Sequence, residues 1–261
     1  MKGSAVLLVA ALGLTACEVH FEGEAPEELA SICQPVMFED TPLTDCMALP
    51  SRHTIGMDLS PEGEDAHYGS LRAFSRQPIE AETPVVFAMN AGMFDPEGEP
   101  IGYYVEDSRR LTVLNQNEGP GNFHLLPNGV FFGEANGPWH VLDTEAFADR
   151  IEDRPQFATQ SGPMLVIDGE LHPDIDPDGD SRKIRNAVGV DTSGRAHFVI
   201  SEAPISFGKL ARYYRDVLNV DNALFLDGSV SQIWDVANER LDTGPEIGPL
   251  IVVKNRAEAV E

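Results

Sequence analysis

The apolar residues of this chain come mostly in short runs, many of them closed by a turn signal. Residues 164–167 (MLVI) and 223–226 (ALFL) each lead into an Asp-Gly pair. Runs of this length are too short for a helix and are typical of buried strands. The chain is therefore predicted to be rich in strands. Further candidates are residues 85–89, 101–105, 130–133, 187–190, 197–200 and 250–253, with 67–74 as a possible edge strand.

Two segments carry a helical pattern instead. Ser206 can cap a helix that runs to about residue 218 with one apolar face, and residues 144–153 form a second candidate. A turn at 191–194 (DTSG) predicts an antiparallel hairpin. The helix from Ser206 lies between two strand candidates, so one crossover can be parallel. The expected fold class is α+β: a single domain with a mixed, largely antiparallel central sheet and a few packed helices.

The first residues have the features of an export signal. A basic start is followed by an apolar run at 6–14, which is too short to span a membrane as a mature helix. Residues 14–17 (LTAC) resemble a bacterial lipobox, in which the cysteine is acylated and becomes the new N-terminus. We predict that residues 1–16 are a lipoprotein signal peptide and that Cys17 carries lipid. An ordinary secretory signal is the alternative.

The segment after the signal is acidic, and residues 17–32 are predicted to be a tether that leaves a domain at 33–256. The expected location is the cell envelope, on the periplasmic side or at the cell surface. Glu18 favours outer-membrane attachment where a cell has two membranes. Cys33 and Cys46 are the remaining cysteines, and in an oxidising compartment they are predicted to form a disulfide.

The charge balance limits the partners of this chain. Its formal net charge is -25, from 43 acidic and 18 basic residues. Such a chain repels nucleic acid and anionic membrane surfaces. We therefore expect no nucleic-acid partner, and contact with a membrane only through the lipid anchor.

Asp227 is the first candidate for a reacting group, because it stands at the carboxyl end of the strand predicted at 223–226. Gly228 lets the backbone turn there or approach a ligand closely, and the hydroxyl of Ser229 follows. The alternative is a plain Asp-Gly turn.

Amide and hydroxyl side chains follow several of the other predicted strands. Asn90 precedes Gly92 in MNAGMF (89–94), where it can offer a donor and an acceptor to a sugar or phosphate, or cap its own loop. Gln160 and Ser161 precede a Gly-Pro break. Ser161 lacks the G-x-S-x-G context of a nucleophile, so we interpret it as a hydrogen-bond donor.

A glycine-rich loop opens the segment GPGNFHLLPNGVFF (119–132), which places Asn122 and His124 at an expected strand start. A neutral histidine can act as a general base, although a single histidine on a strand can equally be structural. Asn128 in Pro-Asn-Gly is interpreted as a plain turn.

Three cations, Arg182, Lys183 and Arg185, fall within four positions of an otherwise acidic chain. A guanidinium suits a phosphate, so Arg185 is the candidate phosphate ligand, with Asn186 beside it. The alternative is that these cations neutralise the acidic loop before them.

That acidic loop copies the start of a calcium loop, with Asp174, Asp176 and Asp178 before Gly179. Its twelfth position is Arg185, where a calcium loop needs a bidentate Glu. We predict a solvated turn and no metal or cofactor, with calcium at the three aspartates as the alternative.

Five segments together resemble the phosphodiester glycosidase family, and within it a bacterial branch of small secreted or lipid-anchored proteins. They are MNAGMF (89–94), GPGNFHLLPNGVFF (119–132), QSGPMLVIDG (160–169), RNAVGV (185–190) and LDGSVSQIW (226–234). Other members carry N-G-G-F-F and D-G-G-G-S, so Ala91 and Ser229 add side chains here and are expected to tighten the pocket.

The resemblance implies cleavage of a sugar from a glycosyl-1-phosphodiester such as an N-acetylglucosamine-1-phosphodiester. Asp227 would be base or nucleophile and Arg185 would hold phosphate, supported by Asn90 and Asn186, with His124 as proton carrier. The remaining expected substrate-binding residues are Gly92, Asn122, Gln160, Ser161, Gly228 and Ser229. Two alternatives stay open: a non-catalytic protein that binds envelope glycans or glycosyl phosphates, and a glycosidase that acts on a phosphate-free glycan.

Overall fold

The computed structural model describes residues 31–64, 66–78 and 80–257. The predicted signal peptide, Cys17 and most of the predicted tether lie outside these residues. The strands are β1 (Cys33–Phe38), β2 (Thr41–Ala48), β3 (His53–Asp58), β4 (Val85–Asn90), β5 (Tyr104–Glu106), β6 (Arg109–Thr112), β7 (Gly129–Gly133), β8 (Trp139–Asp143), β9 (Phe157–Ser161), β10 (Met164–Ile167), β11 (Glu170–Leu171), β12 (Asn186–Asp191), β13 (Ala196–Ser201), β14 (Val220–Phe225), β15 (Ile233–Asp235), β16 (Arg240–Leu241) and β17 (Leu250–Asn255). The helices are α1 (Leu71–Phe74), α2 (Thr144–Arg150) and α3 (Phe207–Arg212).

The strands form three sheets. The first has seven strands in the order β1-β2-β13-β12-β14-β10-β11, the second has the order β16-β15-β4-β17-β3, and the third β6-β5-β9-β7-β8. The predicted α+β class with few helices and largely antiparallel strands is confirmed. A single central sheet with mixed pairing is not found, because all the strand pairs in the described residues are antiparallel.

The crossover between β13 and β14 explains this difference. Both strands pair antiparallel to β12, one on each side, so β13 and β14 run in the same direction without touching. The helix α3 does connect parallel strands, as its position between them suggested. The middle strand β12 keeps the hydrogen-bonded pairs antiparallel.

A cluster of aromatic rings joins the three sheets in one core. Phe198 of the first sheet packs against Phe87 of the second and Phe131 of the third, with ring centroids 5.3 and 5.6 Å apart. All three side chains are fully buried. Edge-on aromatic pairs add about 0.5–1.5 kcal/mol each to the burial of their apolar area. The sheets are thus fixed to one another from within.

Local sequence signals account for the hairpin at the N-terminal end and for the capped helices. Cys33 and Cys46 face each other in the β1–β2 ladder and form the predicted disulfide. Ser206 caps α3 by accepting from the Lys209 amide, as the sequence indicated. The helical path then continues through a π-helical turn at Tyr213–Val217. In the described residues, no helix is long and apolar enough to cross a membrane.

One strand prediction was wrong, and another was too long. Residues 67–74 form no edge strand. They end in the short helix α1, capped by Ser70, which buries Leu71 and Phe74 on one side. These two apolar residues are three apart, which suits one face of a helical turn rather than a strand. The strand predicted at 101–105 begins only at Tyr104.

Two carboxyl groups, Asp58 of β3 and Glu106 of β5, influence each other where the second and third sheets meet. The Tyr68 hydroxyl donates to Asp58 at 3.5 Å, and the Tyr104 hydroxyl donates to Glu106 at 3.1 Å. Burial, and then repulsion by Glu106, raises the pKa of Asp58 to about 7. Burial also raises the pKa of Glu106.

We expect Asp58 to make stability fall as pH rises. Its pKa is about 7 in the folded protein and about 4 in an unfolded chain, so the folded state binds the proton more tightly. Its contribution is complete below about pH 4 and is lost as pH rises to 7 and above. Between pH 4 and pH 8 this should lower the free energy of unfolding of the parent protein by about 2 kcal/mol, after allowance for solvent screening. The substitution Asp58→Asn should abolish this decrease.

Urea unfolding of both proteins at several pH values measures this difference. Asp149→Asn, which changes an exposed carboxylate outside this group, is the control and should keep the pH dependence of the parent protein. Parallel curves for the parent and Asp58→Asn would contradict the assignment.

Candidate active site

The five segments singled out in the sequence meet where strands of all three sheets end. Strand β4 of the second sheet ends at Asn90 and β9 of the third ends at Ser161. In the first sheet, β12 begins at Asn186 and β14 ends at Phe225, two residues before Asp227. The predicted position of Asp227, just beyond the carboxyl end of a strand, is therefore confirmed.

Two buried amides join the first and second sheets at this point. Asn186 Nδ2 donates to Asn90 Oδ1 at 3.1 Å and to Asn90 O at 3.0 Å. Asn90 Nδ2 lies 3.4 Å from Asn186 Oδ1 in return. Asn90 is 1% exposed and Asn186 is 0% exposed. Because polar groups that lose water must find partners, this reciprocal pair fixes the two strand ends relative to each other.

The loop that carries Asp227 is attached to this amide pair. The Asp227 amide donates to Asn186 Oδ1 at 3.1 Å, and the Gln232 amide donates to Asn90 Oδ1 at 2.9 Å. Ser231 Oγ donates to Asp227 O at 2.6 Å. The loop from 227 to 232 is thus held at both ends by the same two side chains.

The third sheet reaches the loop through Ser161. Its Oγ donates to Leu226 O at 2.5 Å, immediately before Asp227. Ser161 is fully buried, so its hydroxyl is a donor, as predicted, but to the backbone of the protein. Ser231 and Gln232 have the same kind of supporting role and were not predicted. Ser231 was marked only as a hydroxyl within the segment.

The carboxylate of Asp227 is half-buried above these contacts. Its Oδ1 accepts from the Ser229 amide at 2.8 Å, and Oδ2 has no hydrogen bond to the described residues. Burial raises the pKa of Asp227, and the Ser229 amide and the charge of Lys183 oppose that rise. A carboxyl with a raised pKa exchanges protons more readily near neutral pH than an ordinary aspartate does.

Arg185 and Asn186 are neighbours at the start of β12 and point to opposite faces. Asn186 points toward the amide pair, whereas Arg185 points to the opposite face, with its guanidinium 3.6 Å from the centre of the Phe207 ring. Neighbouring residues of a strand alternate in this way. Lys183 is exposed, and its charge acts on Asp227. The sequence analysis named Lys183 in the basic cluster but did not assign it to the site.

The guanidinium of Arg185 is enclosed by protein. Nε donates to Ile205 O at 3.0 Å and Nη2 to Ser181 O at 3.2 Å, while Nη1 is buried without a partner in the described residues. Burial lowers the pKa of Arg185 to about 10. The ring of Phe225 lies 5.4 Å from the guanidinium and also contacts Gly228. Phe225 therefore lies near both the guanidinium and the loop of Asp227, and the phosphate role of Arg185 stays a prediction.

A cavity of about 260 Å³ lies on this Arg185 face. Three carboxylates border it, which disfavours an anion there. One of them, Asp176, uses Oδ1 to accept the Asp178 amide, and Asp178 pairs with Arg212. In the described residues, no three His, Cys, Asp or Glu side chains are arranged to hold a metal ion. The cavity is lined by Leu125, Asp174, Ile175, Asp176, Gly179, Asp180, Ser181, Ser206 and Phe207.

The segment with His124 does not start a strand. Asn122–His124 is a single 3-10 turn, because the preceding Gly121 has φ 88° and turns the chain before β7 begins at Gly129. The turn passes over Gly162, where a side chain would collide with the carbonyl of Phe123. Asn122 is exposed and His124 half-exposed. The turn therefore adjoins the Ser161 end of the amide framework.

The interpretation of Asn128 as a plain turn residue was wrong. Its side chain is buried, donating to Phe123 O at 3.0 Å and accepting from the Thr144 hydroxyl at 2.6 Å. It thereby ties the 3-10 turn to the start of α2. A Pro-Asn-Gly pattern does not distinguish a solvated asparagine from one that holds two segments together.

Three other expected site residues have packing roles. Gln160 is 2% exposed, with its polar atoms bonded to protein groups. Gly92 is buried, and a side chain there would collide with Gln160 O. Ala91 lies in the core, so its methyl group does not narrow a pocket. Ser229, the other departure from the family pattern, is exposed beside Asp227.

Comparisons with known proteins give the family and the fold. The family model that matches residues 83–254 describes a phosphodiester glycosidase. Over 169 residues the chain is 37% identical to the uncharacterized protein YigE of Escherichia coli strain K12, and the match covers 64% of each chain. The chain thus spans less than two thirds of that relative.

Solved structures share the fold at low sequence identity. The catalytic domain of zebrafish N-acetylglucosamine-1-phosphodiester alpha-N-acetylglucosaminidase is 16% identical, with a TM-score of 0.54 and coverage of 85% of this chain and 81% of that one. A hypothetical protein from Synechocystis is 15% identical, with a TM-score of 0.53 and coverage of 86% and 61%. At these identities the similarity concerns the fold alone.

We expect Asn186→Ala to destabilise the protein by about 2–4 kcal/mol, because it removes several buried hydrogen bonds and leaves polar groups of Asn90 without partners. Urea unfolding followed by circular dichroism measures the loss. Asn222→Ala is the control, since Asn222 is half-buried and accepts one hydrogen bond, from the Asp168 amide. Its cost should stay near 1 kcal/mol or below. Equal losses in the free energy of unfolding would mean that the amide pair contributes no more to stability than the single hydrogen bond of Asn222.

Proposed function

Because this chain belongs to the phosphodiester glycosidase family, we propose that it is a hydrolase that cleaves a sugar from a glycosyl-1-phosphodiester. The observation that carries the proposal is the position of Asp227. Its half-buried carboxylate is held above a rigid amide framework, has a raised pKa, and keeps Oδ2 without a partner in the described residues. An acid or base for glycosyl transfer needs these properties.

The proposed reaction forms one bond and breaks one. Asp227 takes a proton from water, and the water oxygen forms a bond to the anomeric carbon. The bond from that carbon to the phosphate oxygen breaks, and its electron pair leaves with the phosphate monoester. That leaving group is already a weak base, with a second pKa of about 6. It therefore needs a nearby cation more than it needs a proton.

The second route available to Asp227 is covalent. Its Oδ2 would attack the anomeric carbon, the phosphate monoester would leave, and water would then hydrolyse the glycosyl ester. The two routes differ in the stereochemistry of the released sugar. One displacement inverts the anomeric centre, whereas two displacements retain it.

Lys183 is the best-placed cation for the leaving phosphate. It is exposed and its charge is felt at Asp227. Arg185 would contribute through Nη1, which is buried without a partner in the described residues, and this requires local opening of the buried guanidinium. His124 is the candidate proton carrier, and Asn122 and Ser229 offer exposed polar groups to the sugar or phosphate.

The substrate class is proposed from the family and from one relative. The zebrafish protein that shares the fold is an N-acetylglucosamine-1-phosphodiester alpha-N-acetylglucosaminidase by its name. We propose a substrate of the same type, in which a sugar is joined through its anomeric carbon to a phosphodiester. No metal or cofactor is part of the proposal.

The cell envelope is the proposed location, with Cys17 acylated. Labelling of expressing cells with a radioactive fatty acid should mark the parent protein and leave Cys17→Ser unlabelled. Equal labelling of both proteins, or of neither, would contradict the lipid anchor.

Replacement of Asp227 tests the reaction. With N-acetylglucosamine-1-phosphodiester as substrate, Asp227→Asn should lower kcat by at least about a hundredfold, because the amide cannot accept the proton. Free sugar is measured by NMR, which also reports whether its anomeric centre is inverted or retained. Thermal unfolding confirms that the variant keeps its fold. Full activity of Asp227→Asn would refute the assignment.

A second substrate series separates the alternatives. Hydrolysis of a phosphate-free glycoside at an equal rate would identify an ordinary glycosidase. Saturable binding of the glycosyl phosphate without release of sugar would identify a binding protein. Cleavage confined to the phosphodiester supports the proposal.

Lys183→Met tests the proposed phosphate contact. Loss of an exposed charge pair should raise KM by about two- to fivefold for phosphodiester substrates. Lys183 also lowers the pKa of Asp227, so its removal should move the acidic limb of the kcat/KM profile to higher pH if ionised Asp227 is the active form. Arg182→Met, an exposed neighbour, is the matched control and should change neither value. Coincident profiles for the two variants would remove Lys183 from the site.

A further inference from the structure

Every hydrogen-bonding position of the Gln160 side chain is occupied by the protein. Oε1 accepts from the Tyr103 amide at 2.8 Å and from the Asn115 amide at 2.9 Å. Nε2 donates to Asn115 O at 2.8 Å and to the Thr144 hydroxyl at 3.0 Å. A side-chain amide has two acceptor sites and two donors, so this one has none left for a ligand.

Gln160 therefore holds the backbone of Asn115 at both its amide and its carbonyl. Asn115 in turn organises the loop that follows. Its Oδ1 accepts from the Asn117 amide at 3.1 Å, and its Nδ2 donates to Ile101 O at 2.8 Å. The position of the Asn117 carbonyl thus depends on a buried residue of β9.

The Asn117 carbonyl sets the protonation pattern of His124. Nδ1 of His124 lies 2.8 Å from Asn117 O. A carbonyl oxygen can only accept, so Nδ1 must carry the hydrogen. In the neutral imidazole the other nitrogen, Nε2, then presents its lone pair. An unconstrained histidine side chain prefers the opposite tautomer, with hydrogen on Nε2.

The backbone of Gly119 packs closely against the Cδ2–Nε2 edge of the His124 ring. A side chain at that position would lie 2.7 Å from Cδ2 and 2.9 Å from Nε2 of His124. The loop therefore holds the ring from two sides, through the Nδ1 hydrogen bond and through the close approach of a glycine backbone. The fixed Nδ1–H bond leaves Nε2 as the proton acceptor of the neutral ring.

We propose that Gln160 is a positioning residue that acts through Asn115 and Asn117 to hold His124 in its Nδ1–H tautomer, with Nε2 ready to accept a proton. The catalytic part of this inference rests on the proposed function, in which His124 carries protons. The tautomer itself does not depend on that function and is measured without substrate. Gln160 was expected to bind substrate. In this proposal it instead acts on the site through its hydrogen bonds to the Asn115 backbone.

Nitrogen-15 NMR of the imidazole rings gives the direct test. The chain has seven histidines, and the signals of His124 are assigned by their loss in His124→Gln. At about pH 9, well above the usual titration range of imidazole, His124 of the parent protein should show a protonated Nδ1 and an unprotonated Nε2. The reverse pattern in the parent protein would overturn the proposal.

Two variants interrupt the chain of contacts at different points. Gln160→Glu keeps the size and the acceptors of the side chain but loses both Nε2 donors. Asn115→Ala removes the side chain that holds Asn117 and lies in a half-exposed loop, so we expect the fold to tolerate it. Both should move His124 toward the Nε2–H tautomer, and an unchanged tautomer in Asn115→Ala overturns the proposal even where Gln160→Glu fails to fold.

The control variant is Gln116→Ala, an exposed neighbour in the same loop, which should keep the parent tautomer. An unchanged tautomer in Asn115→Ala would refute the relay. In kinetics, Asn115→Ala should lower kcat by about tenfold or more with little change in KM, in line with loss of general-base assistance. A shifted tautomer with unchanged kcat would refute the catalytic part. Absence of turnover in the parent protein would overturn the proposed function. The NMR spectra would still test whether Gln160 holds His124 in its Nδ1–H tautomer.

Discussion

The reciprocal hydrogen bonding of Asn90 and Asn186 is the interaction on which the candidate site depends. Each amide is almost completely withdrawn from water and satisfies the other. Removal of either one would leave buried donors or acceptors without partners, which costs more than the net value of the bonds themselves. Because the two residues terminate strands of different sheets, their pairing fixes where those sheets end relative to each other. The loop attached to Asn186 Oδ1 therefore holds Asp227 on a rigid support.

The candidate site contains two kinds of side chain: those that hold the loop of Asp227 in place, and those that are exposed to solvent. The supporting side chains of Asn90, Ser161, Asn186 and Gln232 are buried and hydrogen-bonded to protein groups. Asp227, Lys183, His124 and Ser229 reach solvent. Partial burial of Asp227 raises its pKa, and one local cation moderates that rise. The chain as a whole carries a net charge of -25, which opposes the approach of an anionic substrate. If the proposed function holds, Lys183, whose charge acts on Asp227, would supply attraction at short range, where salt screens it least.

The sequence predicted elements well where one physical signal acted alone. Short apolar runs located β10 and β14, and a serine followed by an apolar face located α3. Prediction failed where competing signals overlapped. Residues 67–74 contain apolar residues compatible with a strand, yet their spacing of three suits the single turn of α1. It was the family resemblance that predicted that Asn90, Arg185 and Asp227 share one site with Asn186, because contacts between residues 41 or 96 positions apart leave no local pattern. The structure brings Asn90, Asn186 and the loop of Asp227 together, but not Arg185. Alternation along β12 explains why Arg185 points away from its neighbour Asn186, and this required the exact start of the strand.

Hydrogen-bond capacity distinguishes a polar residue that supports a site from one that binds a ligand. Gln160 lies in a family-like segment beside the site, but its two acceptor positions and two donors are already used. Asp227 has one oxygen bonded and one without a partner in the described residues. A sequence motif contains both kinds of residue without marking which is which. Once the partners are known, the unsatisfied groups indicate where a substrate can contribute bonds, and the satisfied ones indicate what keeps those groups in place.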